Sequence, residues 1–215
     1  MSGIDEVRAE RLKKKQLLID AGMDPYPVST VHTHIVSDVL RDFDALVEKK
    51  EAVTLAGRVM SVRQHGGSIF ADVYDGTERV QIFLSKSDIG DGPFDLFASA
   101  IDVGDFVEGT GVPFITKRET RAVALSAWRI LSKSLRDLPS EWYGLKDEDE
   151  RYRRRYLDIL LNEKTRDIVY KRAQFWKTIR QFLEARHFIE VETPILENTT
   201  GGADARPFVT HHNAL

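Results

Sequence analysis

A chain of 215 residues has room for one large domain or two small ones, and its 42% apolar and 30% charged residues suit a globular fold with a buried core. It has no cysteine, which excludes disulfides and thiolate metal sites and points to a reducing compartment, the cytoplasm; nor does any apolar run approach the roughly 18 residues of a membrane helix. With 31 basic against 34 acidic residues and a formal charge of −3, it is not a globally basic nucleic-acid binder, so any RNA contact has to come from a local patch.

The N-terminal MSGIDEVRAERLKKK is too charged for a signal peptide. Residues 4–21 read as a helix, with Asp5 and Glu6 early and Lys13, Lys14 and Lys15 late, the polarity its dipole favours. Gly22 can end it, and Asp24-Pro25-Tyr26-Pro27 forces an extended exit. The lysine run has two readings, a solvated face or a contact with an RNA backbone, and the first is preferred. Ser37 is expected to N-cap a second helix with Val39, Leu40, Phe43, Leu46 and Val47 along one side. Residues 1–52 are therefore expected to form a helical extension.

From Val53 the apolar period changes from helical to alternating. Five strands are expected, Val53–His65, Ser68–Asp75, Arg79–Ser85, Asp105–Ile115 and Arg121–Leu131, with a short helix at Phe94–Ala100. Gly66-Gly67 and Asp75-Gly76 stand at hairpin spacing. Five strands with a helix between the third and fourth is the order of an OB-fold β-barrel, here 53–133, and such barrels commonly bind oligonucleotides. Within it, Phe70 can stack on an unpaired base, Gln81 offers a donor and an acceptor to a base edge, and Arg63 can hold a phosphate or a base. Taken alone, the pattern favours Phe70 as core and the polar residues as solvated.

Residues 134–150 read as a linker ending in Asp147, Glu148, Asp149 and Glu150. Arg151, Arg153, Arg154 and Arg155 follow directly, and adjacent opposite blocks are expected to make a salt-bridged helix start rather than a phosphate site. A long helix over about Glu163–Arg186 carries Ile168, Phe175, Ile179, Phe182 and Leu183 on one side, flanked by Trp176. Then Phe188-Ile189-Glu190-Val191-Glu192 alternates as a half-buried strand does, and Pro194 stops it. The chain continues through Gly201-Gly202 to Leu215. His211-His212 attracts a metal reading, but adjacent histidines point opposite ways from a strand and no carboxylate stands near, so no metal is expected there.

The run from FIEVETPIL to GGADARPFVTHHNAL resembles motif 1 of a class II aminoacyl-tRNA synthetase, in the form carried by lysyl-tRNA synthetases. DPYP near the N-terminus, DLPSEWYGL and RYRRRYLDILLN resemble the same family, so the likeness runs along nearly the whole chain. It implies an OB-fold anticodon-binding domain, then the first helix–strand unit of an α+β class II catalytic domain at 151–215. It further implies that Arg63, Phe70 and Gln81 meet the anticodon, Phe70 stacking on a central uracil that Gln81 hydrogen-bonds. The family's turn before the last barrel strand is of Thr-Gly-Glu type, its glutamate reading the third anticodon base. Here the turn is Thr116-Lys117-Arg118-Glu119-Thr120-Arg121; direct counting puts Thr120 at the glutamate, and Glu119 takes its place after a one-residue shift.

By the same likeness Gly201 lies against the lysine substrate, Arg206 is structural, and Phe175, Ile179, Phe182 and Pro194 belong to a homodimer contact. The family activates lysine with ATP and Mg²⁺ and transfers it to tRNA-Lys. Neither of its ATP-binding arginine motifs is found in 1–215, so no catalytic residue and no cofactor is expected to be held here. Two other functions fit the same residues: a non-catalytic tRNA-binding or dimerising module, and the synthetase-like part of a lysine transferase.

Overall fold

The computed structural model describes residues 3–139 and 145–194, together with Arg206, Thr210, His211 and Asn213. The chain divides into two compact units, Met1–Tyr143 and Gly144–Leu215. The first holds α1 (Gly3–Asp20), α2 (Val36–Arg41), α3 (Phe43–Lys49), β1 (Val53–His65), β2 (Ser68–Tyr74), β3 (Arg79–Ser85), α4 (Lys86–Ile89), α5 (Asp91–Ala100), β4 (Phe106–Ile115) and β5 (Arg121–Ser132).

Gly22 ends α1 as expected. Met23 N–H bonds the Leu18 carbonyl and Gly22 N–H that of Ile19, both at 2.9 Å, with Gly22 at φ +77°. A residue without Cβ makes this left-handed stop unstrained. The lysine run is spent on the protein itself: Lys13 pairs with Glu10 at 3.3 Å, Lys14 with Asp102 at 2.6 Å, and Lys15 stands 5.6 Å from the Tyr26 ring centroid.

Ser37 is not the N-cap. That position is Ile35, and Ser37 lies inside α2. The exposed N–H groups find acceptors far along the chain, Val36 at Asp75 Oδ2 (2.7 Å) and Ser37 at Thr77 Oγ1 (3.1 Å). Asp75 also accepts from the N–H groups of Thr77 and Glu78, which turns the chain and stops β2 at Tyr74, one residue early. Burial works to raise the pKa of Asp75, but hydrogen bonds from Thr77, Val36 and Glu78 outweigh it and leave it lowered.

The strands close in the order β1-β2-β3-β5-β4, all neighbours antiparallel except β3 and β5. The expected five-strand OB order is therefore present, with two short helices between β3 and β4 rather than one. Alternation sends Ile69, Ala71 and Val73 of β2, and Val80, Ile82 and Leu84 of β3, into the barrel. Phe94 and Phe97 of α5 join that core, as do Leu18, Val36, Val39, Phe43 and Leu46 from the N-terminal helices. Each large apolar side chain so covered contributes roughly 1.5–3 kcal/mol. β4 can approach β5 closely because Gly111 has no side chain: a Cβ there would stand 2.0 Å from the Ala124 carbonyl oxygen.

The extended segment after α1 is lashed to the barrel by Glu108. Its Oε2 accepts from Thr30 Oγ1 (2.6 Å), Val31 N–H (2.8 Å) and Arg129 Nη2 (3.0 Å), and its Oε1 from Arg129 Nε (2.7 Å). Burial raises this carboxyl, but the bonds from Arg129, Thr30 and Val31 prevail and bring it from 4.5 down to about 2. A depressed carboxylate stabilises the fold fully above its unfolded value of 4.5, and that contribution disappears as pH falls through about 2. The Glu108→Gln variant is expected to be less stable at neutral pH and to lose less stability across this acid window. Urea midpoints measured along the window check it; parallel curves for the two proteins would exclude the role given to Glu108.

The second unit holds α6 (Glu148–Arg153), α7 (Arg155–Leu161) and α8 (Glu163–Glu184). The salt-bridged helix start is present: Arg153 pairs with Asp149 at 2.6 Å and Arg154 with Glu150 at 2.9 Å. Asp147 caps α6 by accepting from Glu150 N–H. Buried Asp158 joins the three helices, accepting from Arg151 Nε (3.0 Å), Arg155 Nη1 (2.9 Å) and Thr165 Oγ1 (3.1 Å). Asn162 caps α8, and His187 at φ +65° ends it, with Phe188 N–H on the Leu183 carbonyl. Segment 188–192 is not a strand here. A strand needs a neighbour for its N–H and C=O groups, and among the described residues none lies beside it. Also among the described residues, no helix is long and apolar enough to cross a membrane.

Candidate nucleic-acid interface

The same alternation that fills the barrel decides what stands outside it. With Ile69, Ala71 and Val73 buried, Phe70 and Asp72 of β2 face outward; with Val80, Ile82 and Leu84 buried, so do Gln81 and Phe83 of β3. The registers then form two rows. Arg63 faces Phe70 and Phe70 faces Phe83; Ser61 faces Asp72 and Asp72 faces Gln81. Arg63, Phe70 and Gln81 are thus brought onto one face. Phe70 is half-buried there, not core, which corrects what the pattern alone favoured.

The face carries more aromatic surface than Phe70 alone. The Phe70 and Phe83 rings are 4.9 Å apart between centroids, and Phe83 lies 5.6 Å from Phe114 of β4. β5 runs between them with Ala122 opposite both Gln81 and Phe114, and Ala124 opposite Phe83. Two methyl groups leave room for the larger rings to meet across that strand. Sequence reasoning missed Phe83 and Phe114, although Phe83 sits between Ile82 and Leu84, where a period of two assigns it to the outer face.

The polar groups of this face make few contacts with the rest of the protein. Asp72 accepts from the Ser61 hydroxyl, and its Oδ2 stands 3.9 Å from Arg63 Nη2. Arg63 remains 67% exposed, so this pair adds little stability and leaves the guanidinium available to a phosphate or a base. The Gln81 amide makes no side-chain hydrogen bond within the described residues, so it can both donate and accept at a base edge.

Glu119 sits at the edge of this face, in the β4–β5 turn. Thr116 N–H bonds the Thr120 carbonyl (2.9 Å), Glu119 N–H bonds the Thr116 carbonyl (2.9 Å), and Thr120 N–H bonds Thr116 Oγ1 (3.1 Å). Glu119 is at φ +60°, the left-handed position of a three-residue hairpin loop, which glycine takes at least cost. It therefore occupies a corner that a glycine would take without strain.

The remaining candidates are separate. Gly201 and His212 lie outside the described residues. Phe175 and Phe182 of α8 are 58% and 54% exposed, Ile179 is half-buried, and Pro194 is exposed at the end of the segment that follows. Among the described residues no three His, Asp or Glu side chains group as a metal site.

Residues 53–131 match the family model described as OB-fold nucleic acid binding domain, and residues 147–215 match that of tRNA synthetases class II (D, K and N). The chain is 46% identical over 213 residues to a lysine–tRNA ligase of Roseiflexus sp. (strain RS-1), covering 99% of this chain and 44% of that protein. It is 41% identical over 213 residues to a lysine–tRNA ligase of Thermoanaerobacter sp. (strain X514), covering 42% of it, and 42% identical over 207 residues to one of Clostridium tetani, covering 41%. The chain thus spans less than half the length of the curated relatives it matches.

Proposed function

We propose, on the premise that this chain is homologous over 99% of its length to lysine–tRNA ligases, that its barrel recognises the anticodon loop of tRNA-Lys. The observation that carries this is the Arg63–Phe70–Phe83 row beside the unpaired amide of Gln81. A loop base laid on Phe70 gains stacking with any base identity; the Gln81 amide then selects by donating to and accepting from its edge, as uracil allows. Arg63 holds the adjoining phosphate. The protein to which this unit contributes joins lysine to tRNA-Lys in the cytoplasm, using ATP and Mg²⁺, and works as a homodimer through Phe175, Ile179, Phe182 and Pro194. Gly201 would lie against the lysine. None of the described residues is assigned to the chemistry itself.

The Phe70→Ala variant is expected to bind a stem–loop RNA with uridine at its loop centre about 1–3 kcal/mol more weakly, which is roughly 5- to 150-fold in Kd. Direct titration of both proteins at one fixed salt concentration measures this. Equal affinities would remove Phe70 from the site.

A further inference from the structure

Most cations of the first unit are committed to protein partners. Lys14 and Lys133 bind Asp102, Arg129 binds Glu108, Arg41 binds Asp38 and Asp42, and Lys86 binds Asp95. In the β4–β5 turn Arg121 is also committed: its Nη1 donates to the Leu40 carbonyl at 2.8 Å, and its guanidinium lies 5.1 Å from the centre of the Phe43 ring. Its neighbours Lys117 and Arg118 are different. Both are exposed, and neither has an ion pair or hydrogen bond among the described residues.

The turn that carries them is firm. The three bonds on Thr116 and Thr120 close it, and Glu119 holds the left-handed corner, so the backbone carries Lys117 and Arg118 at the tip. The tip adjoins the aromatic face: only Ile115 and Thr116 lie between Phe114 and Lys117, at most about 10 Å of extended chain. A chain of net charge −3 must gather positive charge locally to attract a polyanion, and these two side chains do so beside the face where bases would stack.

We propose that Lys117 and Arg118 are phosphate contacts, gripping the backbone of an RNA strand whose bases lie on Phe70, Phe83 and Phe114. The inference rests on the RNA-binding reading above and changes the role of this turn. The turn holds the strand through charge, independent of base identity, instead of reading a base through the Glu119 carboxylate. Contacts of this kind release counterions, about 0.7 in the slope of log affinity against log salt for each single-strand phosphate neutralised.

The test titrates the full chain and its Lys117→Ala/Arg118→Ala variant across a salt series. It uses two stem–loop RNAs, one with uridine at the loop centre and one with cytidine there. The expected result is a slope shallower by about 1.4 in the variant and the same fold-loss of affinity for both RNAs. The exchange Lys117→Arg/Arg118→Lys should keep the wild-type slope, and Phe70→Ala should lose affinity without changing it. An unchanged slope in the alanine variant, or a loss confined to one RNA, would overturn the assignment while leaving the barrel's RNA binding intact. If the wild-type chain binds neither RNA, the RNA-binding reading falls and this inference with it.

Discussion

Replacing Lys133 by alanine is expected to destabilise the first unit by roughly 3–5 kcal/mol, with α1 released before the barrel melts. The Lys133 ammonium is fully buried and uses its hydrogens on the Ala100 carbonyl, Asp102 Oδ2 and Asp105 Oδ2, each at 2.7 Å. Asp105 is equally buried and further accepts from the N–H groups of Asp102 and Ser134, both at 2.8 Å. Asp102 passes the connection on to Lys14 of α1. Arg11 completes the attachment by donating to the carbonyls of Val103, Ser134 and Arg136. One ammonium therefore ties the end of β5, the loop before β4 and, through Asp102, the N-terminal helix.

Removing it strands the Asp105 carboxylate in the interior, where Arg58 also feels its charge. Burial already raises the pKa of Asp105 against the bonds from Lys133, Asp102 and Ser134. A group whose folded pKa lies above its unfolded value favours the folded state when protonated, and that stabilisation is lost as pH rises through the folded value. In the variant the carboxyl rises further, so the gap from wild type should widen from acid toward neutral pH. Adding Asp105→Asn should recover part of the loss. Urea unfolding at acidic and neutral pH, with hydrogen exchange on α1, gives the numbers. A penalty below about 1 kcal/mol at neutral pH would mean that the cluster is no anchor.

What could be read from the sequence, and what could not, divides by the range of the contact. The five strands were legible because a period of two and the glycine turns are local signals, and their ends fell within one residue of the observed ones; of the helices between β3 and β4 only α5 was expected, and it starts three residues earlier, at Asp91. The shared face of Arg63, Phe70 and Gln81 was implied by the family likeness alone; the strand pattern by itself favoured Phe70 as core. Lys133 was not legible, since nothing in the neighbouring Ser132 and Ser134 says that its partners stand near residue 102. Ser37 failed for the same reason: the groups that finish α2 come from Asp75 and Thr77. Segment 188–192 has the alternation of a strand, but alternation records a preference for one wet and one dry face and supplies no ladder partner.

Purified at micromolar concentration, the chain is expected to self-associate through α8, and the Phe175→Asp/Ile179→Asp variant to remain monomeric. Ile168, Phe175, Trp176 and Phe182 are 66%, 58%, 47% and 54% exposed, and Phe188, Ile189 and Val191 beyond the helix are 63%, 85% and 72% exposed. Arg180 Nε donates to both carboxylate oxygens of Glu190 at 3.0 Å, which ties that segment to the helix. So many large apolar side chains left exposed on one helix and the segment tied to it are unusual on an isolated protein. Covering one such side chain contributes roughly 1.5–3 kcal/mol, and a two-fold contact covers each of them twice. Against this stands an association cost of about 4–15 kcal/mol, which a few well-covered pairs exceed. Two aspartates would have to be buried unpaired in the same contact, a penalty large enough to abolish it. Sedimentation velocity across a concentration series separates monomer from dimer, and limited proteolysis reports whether α8 is covered. A wild-type monomer cut readily after Arg155 or Lys171 would refute the pairing, and would show that this surface is met by frayed chain rather than by a second copy.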